Sequence, residues 1–176
     1  MAVAAGCTSV TGIRTAILTV STSVSRREAE DRSGPVLAAL AENAGCEIAH
    51  MEVVPDDFAL IEDRLNHFVD DRCDLVFTTG GTGMTPDDIT PEATRAVLDR
   101  EAPGFAEALR VEGLRHTPLG ILSRGISGIA GRTLIVNFPG SPRAVEQVFP
   151  VLAPTLPHVV ETLRGDSSAH GPRPGG

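Results

Sequence analysis

The stretch VFTTGGTGMTPDDITPE, residues 76–92, decides the fold of this chain and begins as a strand. Residues 75–77 are apolar and fit a sheet that is covered on both faces. The glycines that follow, Gly80, Gly81 and Gly83, permit positive φ angles and let main-chain N–H groups approach a ligand. Thr90 then reads as the N-cap of a helix, with proline in the first turn.

Hydroxyls and carboxylates surround the glycines of this stretch. Thr79 and Thr82 flank them, and Asp87 and Asp88 come before the helix. A strand, a glycine turn, an acid and a helix N-terminus together can hold an anion beside a divalent cation. A plain tight turn between strand and helix also explains three glycines. It does not require the threonines and the acid pair, so we favour a ligand site.

Composition restricts the possible functions. The 176 residues suit one domain, and a net charge of −8 without a basic run argues against nucleic acid as a partner. All fifteen basic residues are arginine, so a Walker A lysine and a lysine Schiff base are both excluded. Position 86 is not glycine, so the loop also fails the dinucleotide-binding fingerprint.

Nothing in the sequence indicates export or a membrane. The cysteines are odd in number and lack C-x-x-C spacing, so we expect free, reduced thiols at Cys7, Cys46 and Cys73. No run of eighteen apolar residues occurs, and residues 1–12 do not resemble a signal peptide. We therefore expect a cytoplasmic protein, with disordered tails at residues 1–12 and 166–176 around a domain at 13–165.

Strand and helix patterns alternate along the chain. The sequence predicts strands at 15–20, 47–54, 75–77, 120–123 and 133–138, and a turn at 127–132. It predicts helices at 33–44, 58–69, 91–100 and 105–114, and a proline-broken helix after residue 141. This order favours a three-layer α/β domain with a mostly parallel sheet.

Ligands of such sheets bind beyond the carboxyl ends of the strands. Four segments fall there, at residues 21–25, 55–57, 78–88 and 137–142. Asp88 is the strongest candidate for holding a metal or a proton, because Thr90 is better placed to cap the helix. Two roles for Asp56 are equally compatible with the sequence, a helix cap and a ligand, because Asp57 could cap the same helix.

Three further residues could contact phosphate. Ser141 either caps the last helix or presents that helix end to an anion. Ser123 and Arg124 lie near a strand end, where Arg124 could hold phosphate in a bidentate manner. The histidines are scattered over different elements and show no metal-binding spacing.

These motifs resemble those of the MoaB/Mog family of molybdenum cofactor biosynthesis proteins. The resemblance rests on segments 78–83, 88–93, 103–105, 122–125 and 137–142, and residues 156–158 are similar to the molybdopterin-handling domain of gephyrin. It spans residues 13–165 in order. It implies an α/β fold, molybdopterin binding and a homotrimer, and for catalytic members the adenylylation of molybdopterin by ATP with Mg²⁺.

The resemblance also implies which residues form the site. The essential acids of the family fall on Asp56 and Asp88, which would hold the metal. The ligand site would be lined by residues of two loops with Ser123 nearby, namely Thr79, Gly80, Gly81, Thr82, Gly83, Pro139, Gly140 and Ser141. Adenylylated product could be handed to a molybdenum insertase.

Two departures from the family pattern concern the first loop. Members often carry Ser-Asp after the first strand, whereas this chain has Ser21-Thr22, and a common glycine is matched by Arg27. Loss of that acid affects the expected metal or nucleotide contacts of the loop. The alternative is a non-catalytic molybdopterin-binding trimer of the same fold. For the trimer, the helix at 105–114 offers Phe105, Leu109 and Val111 as apolar contact residues.

Overall fold

The computed structural model describes residues 12–165, so the predicted tails lie outside it except for Gly12. The strands are β1 (Ile13–Val20), β2 (Cys46–Val54), β3 (Leu75–Thr79), β4 (Arg100–Glu101), β5 (Ser127–Ala130) and β6 (Thr133–Phe138). The α-helices are α1 (Thr22–Ser25), α2 (Ser33–Asn43), α3 (Phe58–Asp70), α4 (Thr90–Val97), α5 (Pro103–His116), α6 (Pro142–Val148) and α7 (Leu156–Arg164). Short 3₁₀ segments cover Pro118–Leu122, Phe149–Val151 and Ala153–Thr155.

All six strands form one sheet in the order β2-β1-β3-β6-β5-β4. The first four are parallel, and β5 and β4 add to the sheet in antiparallel orientation. Every residue of β3 and β6 is buried, as expected for central strands with helices on both faces. The mostly parallel sheet predicted from the sequence is confirmed.

Helices cover both faces of the sheet and create two apolar cores. On one face Leu37, Leu109, Val145 and Val160 bring α2, α5, α6 and α7 onto the sheet. On the other face Ile61, Leu65, Phe68 and Ala93 bring α3 and α4 onto it. The predicted three-layer architecture follows, and the carboxyl ends of β1, β2, β3 and β6 share one edge.

Three sequence predictions between residues 98 and 132 were wrong: the end of α4, the turn at 127–132 and the strand at 120–123. The helix predicted to reach residue 100 ends at Val97, because Leu98 is extended and the chain then pairs as β4 with β5. The predicted turn at 127–132 contains β5, in which a side chain at Gly128 would meet the Arg100 carbonyl oxygen at 2.7 Å. Residues 120–122 of the strand predicted at 120–123 lie instead in the 3₁₀ segment Pro118–Leu122, and Ser123 follows that segment as its C-cap.

Helix α5 also differs from its prediction. It extends from Pro103 to His116, and Leu109 is buried in the core rather than exposed. Val111 is exposed. Leu109 is therefore not available as a contact residue for another copy, and a charge there would disrupt folding.

Cys46 and Cys73 are buried and free, as predicted, whereas Cys7 lies outside the described residues. Burial raises the pKa of Cys46, and it raises the pKa of Cys73 to about 11. Within residues 12–165, none of the helices has the length and apolar character needed to cross a membrane.

Candidate active site

The glycine loop after β3 is shaped by two positive φ angles. Gly80 has φ +97° and Gly81 has φ +62°, the left-handed region that disfavours other residues. A Cβ atom on Gly80 would lie 2.2 Å from the Val20 carbonyl oxygen. Gly83, which could also have adopted a positive φ, does not do so. It is small because a Cβ there would lie 2.9 Å from the Asp88 carboxylate.

Thr90 closes this loop instead of capping α4. Its hydroxyl donates to the Gly80 carbonyl oxygen at 2.9 Å, and its amide donates to the Gly81 carbonyl oxygen at 3.1 Å. The N-cap position of α4 belongs to Ile89, which makes no side-chain capping bond. The predicted capping role of Thr90 was therefore wrong, and its hydroxyl fixes the ligand loop.

The Asp88 carboxylate is held by a turn that begins at Thr85. The Thr85 amide and hydroxyl both donate to Asp88 Oδ2, at 2.8 and 2.6 Å. Partial burial alone would raise the pKa of Asp88. The hydrogen bonds from Thr85 and Gly83, with the nearby charge of Arg124, outweigh burial and lower the pKa. Asp88 is thus ionised at neutral pH and does not cap a helix.

The Asp56 carboxylate is held by the loop after β1. The Thr22 amide and hydroxyl donate to Asp56 Oδ2, each at 2.8 Å, and the Asp56 amide donates back to the Thr22 hydroxyl at 3.0 Å. Asp57 caps α3 by accepting the Leu60 amide at 2.9 Å. Of the two acids, Asp57 is the cap, and the Asp56 carboxylate lies beside the glycine loop, where a Cβ on Gly81 would come within 3.3 Å of its Oδ1 atom.

The turn at residues 139–142 packs directly on the glycine loop. The Thr79 hydroxyl donates to the Pro139 carbonyl oxygen at 2.8 Å. A Cβ on Gly140 would approach the Gly80 Cα atom to 3.1 Å, so both loops need glycine at their contact. Ser141 caps α6 by accepting the Ala144 amide at 3.5 Å. The structure thus brings the two predicted ligand loops together.

A cavity of about 720 Å³ lies between the glycine loop, α5, the 3₁₀ segment Pro118–Leu122 and α6. Eight of the eleven predicted site residues line it: Gly81, Thr82, Gly83, Asp88, Ser123, Pro139, Gly140 and Ser141. Thr79, Gly80 and Asp56 are not part of its wall. The side chains of Arg110 and Arg143 add positive charge to the wall, which suits an anionic ligand.

Arg124 does not serve as the free phosphate ligand that the sequence suggested. Its side chain forms an ion pair with Glu92 and donates to the carbonyl oxygens of Gly83, at 2.7 Å, and Asp88. Its amide donates to the Thr82 carbonyl oxygen at 2.9 Å. The hydrogen bond from Arg124 lowers the pKa of Glu92. Arg124 therefore braces the glycine loop from outside.

The sequence interpretation missed four residues of this site. Thr22 and Thr85 orient the two acids, and Arg110 and Arg143 line the cavity. The spacing of Thr85 three residues before Asp88 is typical of a local turn and could have indicated that contact. The Thr22 contact spans 34 residues and has no local sequence signal.

Comparison with known proteins identifies the family. The model of a probable molybdopterin binding domain matches residues 16–158 of the chain. The chain belongs to the MoaB/Mog family. MoaB from Thermus thermophilus, described as a molybdopterin biosynthesis enzyme, superposes with a TM-score of 0.82 at 44% identity, covering 87% of this chain and 97% of MoaB.

Two relatives of the chain are matched over different shares of their own length. The molybdopterin adenylyltransferase of Escherichia coli K12 is 38% identical over 162 residues, which are 90% of this chain and 76% of that enzyme. The molybdenum cofactor synthesis protein cinnamon of Drosophila melanogaster is 39% identical over 157 residues, which are 86% of this chain. The matched part spans only about a quarter (26%) of the cinnamon protein.

Proposed function

We propose that this chain is a molybdopterin adenylyltransferase of molybdenum cofactor biosynthesis. One observation carries the proposal: the glycine loop lies between two oriented carboxylates and faces the 720 Å³ cavity. In the proposed reaction, a terminal phosphate oxygen of molybdopterin attacks the α-phosphorus of ATP. The bond from that phosphorus to the bridging oxygen breaks, and pyrophosphate leaves.

The protein would contribute mainly position and charge. Phosphoryl-type transfers depend on alignment of the reacting groups and on neutralisation of their charge. Arg110 and Arg143 in the cavity wall would attract the phosphates, and the loop at Gly81–Gly83 leaves room for the ligand to approach the main chain. Arg110 also donates to the Gly125 carbonyl oxygen at 2.7 Å, which limits its movement.

The chemistry of the two acids fits a magnesium ion. Carboxylate oxygens are the ligands that Mg²⁺ prefers, usually together with substrate phosphates. In Asp56 and Asp88 alike, a threonine holds Oδ2 and thereby fixes the orientation of the carboxylate. Both residues would hold the metal, which would supply charge neutralisation for the triphosphate of ATP. The chain has no lysine, so the other positive charges at the cavity are those of arginines such as Arg110 and Arg143.

The test is release of pyrophosphate from ATP. Purified protein, molybdopterin and Mg²⁺ should release pyrophosphate and form adenylyl-molybdopterin, and omission of either molybdopterin or Mg²⁺ should stop the release. Binding of molybdopterin in titrations, without any pyrophosphate release, would instead support the non-catalytic binding protein. In that outcome Thr22, at the position where members often carry an acid, is the first residue to replace with Asp.

We also propose that the chain assembles as a homotrimer. Support comes from apolar side chains exposed at the end of α5 and in the 3₁₀ segment after it. Leu114 and Ile121 lie outside the cavity wall, whereas Leu119 and Leu122 also line the cavity. Ile121 is 70% exposed and Leu119 is 67% exposed, and such large apolar groups typically mark an interaction surface. Light scattering should give a trimer, and Ile121→Glu should shift it toward monomer. A monomeric unmodified chain would contradict the proposal.

A further inference from the structure

A cluster of metal-ligating side chains lies on the edge strand, apart from the cavity. His50 and Glu52 of β2 and His67 of α3 each place one ligand atom within 4.8 Å of the others. The two imidazole rings meet edge to face, with centroids 5.6 Å apart. The spacing of the histidines in the sequence predicted no metal site, but the fold brings together His50 and His67, which are 17 positions apart.

A β-bulge in β2 creates this cluster. The pairing of β2 with β1 shifts between Thr15 and Ala16, so that Ile48 and His50 oppose consecutive residues of β1. Before the bulge, Ile48 packs with the core of the α2 face. After it, His50 and Glu52 oppose Ala16 and Leu18, whose side chains lie in the core under α3. The extra residue thus turns both ligand candidates toward His67.

The partners of these residues match the surroundings of a metal site. The Asp71 carboxylate contacts His50 Nε2 at 2.6 Å and so fixes the orientation of the ring, as carboxylates do for metal-bound histidines. Among residues 12–165, the ion pair of the Glu52 carboxylate is a long one with Arg64, at 3.8 Å. Arg64 has a second and closer partner in Asp63, at 2.6 Å, so it keeps a counterion if Glu52 turns to a metal.

We propose that His50, Glu52 and His67 bind a zinc-type divalent transition metal, which would fasten the edge strand β2 to helix α3. Two imidazoles and one carboxylate are a common zinc ligand set, in which water takes the fourth position. Tetrahedral ligands about 2 Å from zinc lie about 3.3 Å apart. The present separations, all within 4.8 Å, would therefore shorten by about 1.5 Å at most on binding. None of the three residues lines the cavity, and the proposal is independent of the proposed catalytic activity.

A second trio shares His50 and must be distinguished. His50, Asp71 and Cys73 also lie within 4.8 Å of one another. Cys73 is only 1% exposed, and Asp71 already forms an ion pair with Arg14. Zinc binding there would require loss of the thiol proton and disruption of that pair. The more accessible trio with His67 is therefore the proposed site.

The experiment measures metal binding to the full chain, without an added histidine tag and after treatment with chelator. Titration calorimetry with ZnCl₂ should show one ion per chain, and thermal unfolding should move upward when zinc is present. His67→Gln and Glu52→Gln should each weaken binding by about 100-fold or more, beyond the 10- to 100-fold typical of groups outside the ligand shell. His158→Gln, on the exposed part of α7, is the matched control and should bind like the unmodified chain.

Cobalt identifies the ligand atoms. Co²⁺ should give the absorption of a site with nitrogen and oxygen ligands, without a thiolate charge-transfer band, and Cys73→Ser should leave the spectrum unchanged. A thiolate band that Cys73→Ser removes would overturn the proposal in favour of the second trio. Absence of stoichiometric zinc binding, or binding that is equal in His67→Gln and His158→Gln, would also overturn it.

Discussion

The two acids beside the glycine loop are held in the same way by contacts of very different range. Asp88 Oδ2 accepts the amide and hydroxyl of Thr85, three residues earlier. Asp56 Oδ2 accepts the amide and hydroxyl of Thr22, which is 34 residues away and belongs to another loop. The Asp88 side is a local turn, whereas the Asp56 side exists only once β1 and β2 have paired.

The two acids also occupy different sides of the glycine loop. Asp88 lies in the cavity wall, and a Cβ on Gly83 would meet its carboxylate. Asp56 lies outside that wall, and a Cβ on Gly81 would come within 3.3 Å of its Oδ1 atom. A carboxylate therefore lies close to the position that a side chain would take at Gly81 and at Gly83. This arrangement supports a shared role at one ligand, with Asp88 nearer the cavity.

The largest expected effect is on turnover when either acid loses its charge. Asp88→Asn and Asp56→Asn should each reduce pyrophosphate release by about 10²-fold or more, as for loss of one preorganised electrostatic contact. Asp88→Asn should unfold at nearly the unmodified temperature, because its turn is local. Asp56→Asn should also lose some stability, since Thr22 donates to its carboxylate from another loop. Steady-state kinetics and thermal unfolding measure the two effects.

Asp87→Asn is the matched control, because Asp87 is exposed beside Asp88. It should retain turnover close to that of the unmodified chain. Near-normal adenylylation by Asp88→Asn, in a normally folded protein, would contradict a role for this carboxylate in the reaction.

The same contrast in range explains what the sequence could predict. The strands β1, β3 and β6, the helix start after Ser141 and the glycine loop have local signals, and the structure contains them. The sequence did not predict strand β5, because its four residues do not alternate clearly between apolar and polar. The strand forms through its pairing with β6. The Thr22 contact and the bulge before His50 were missed for the same reason. Both depend on pairing between segments distant in sequence, which a local pattern does not record.

The second largest effect concerns the glycines of the loop. Gly80→Ala should destabilise the fold by on the order of 3 kcal/mol, because it forces a side chain to φ +97° and against the Val20 main chain. Gly83→Ala should cost less than about 1 kcal/mol, since it meets only the movable Asp88 side chain. Gly83→Ala should nevertheless reduce turnover by displacing that carboxylate. Urea unfolding separates the two variants, and equal stability losses would refute this account of the loop.

A smaller effect is expected from the long-range threonine. Thr22→Val removes the hydroxyl that donates to Asp56 and accepts from its amide, and should cost about 1–2 kcal/mol of folding stability. Thr22→Ser keeps the hydroxyl and is the matched control. Thr85→Val should lower the folding stability less than Thr22→Val does. It weakens a contact within one turn, whereas Thr22→Val weakens a contact between two loops. Denaturant unfolding of the three variants tests this order, and a greater loss in Thr85→Val would reverse our interpretation of the two sides.

The smallest expected effect is a change in the pKa of Asp88. The bonds from Thr85 help to lower the pKa of Asp88 below its ordinary value of 3.8, against the effect of burial. The stability contributed by the ionised carboxylate is therefore present above that value and is lost as the pH falls through the lowered pKa. Thr85→Val removes the hydroxyl bond but keeps the amide bond, so the pKa of Asp88 should rise toward 3.8. Carboxyl NMR titration of Asp88 measures the change, with Thr85→Ser as the control that should retain the lowered pKa. An unchanged pKa in Thr85→Val would show that the amide, Gly83 and Arg124 suffice to hold the charge.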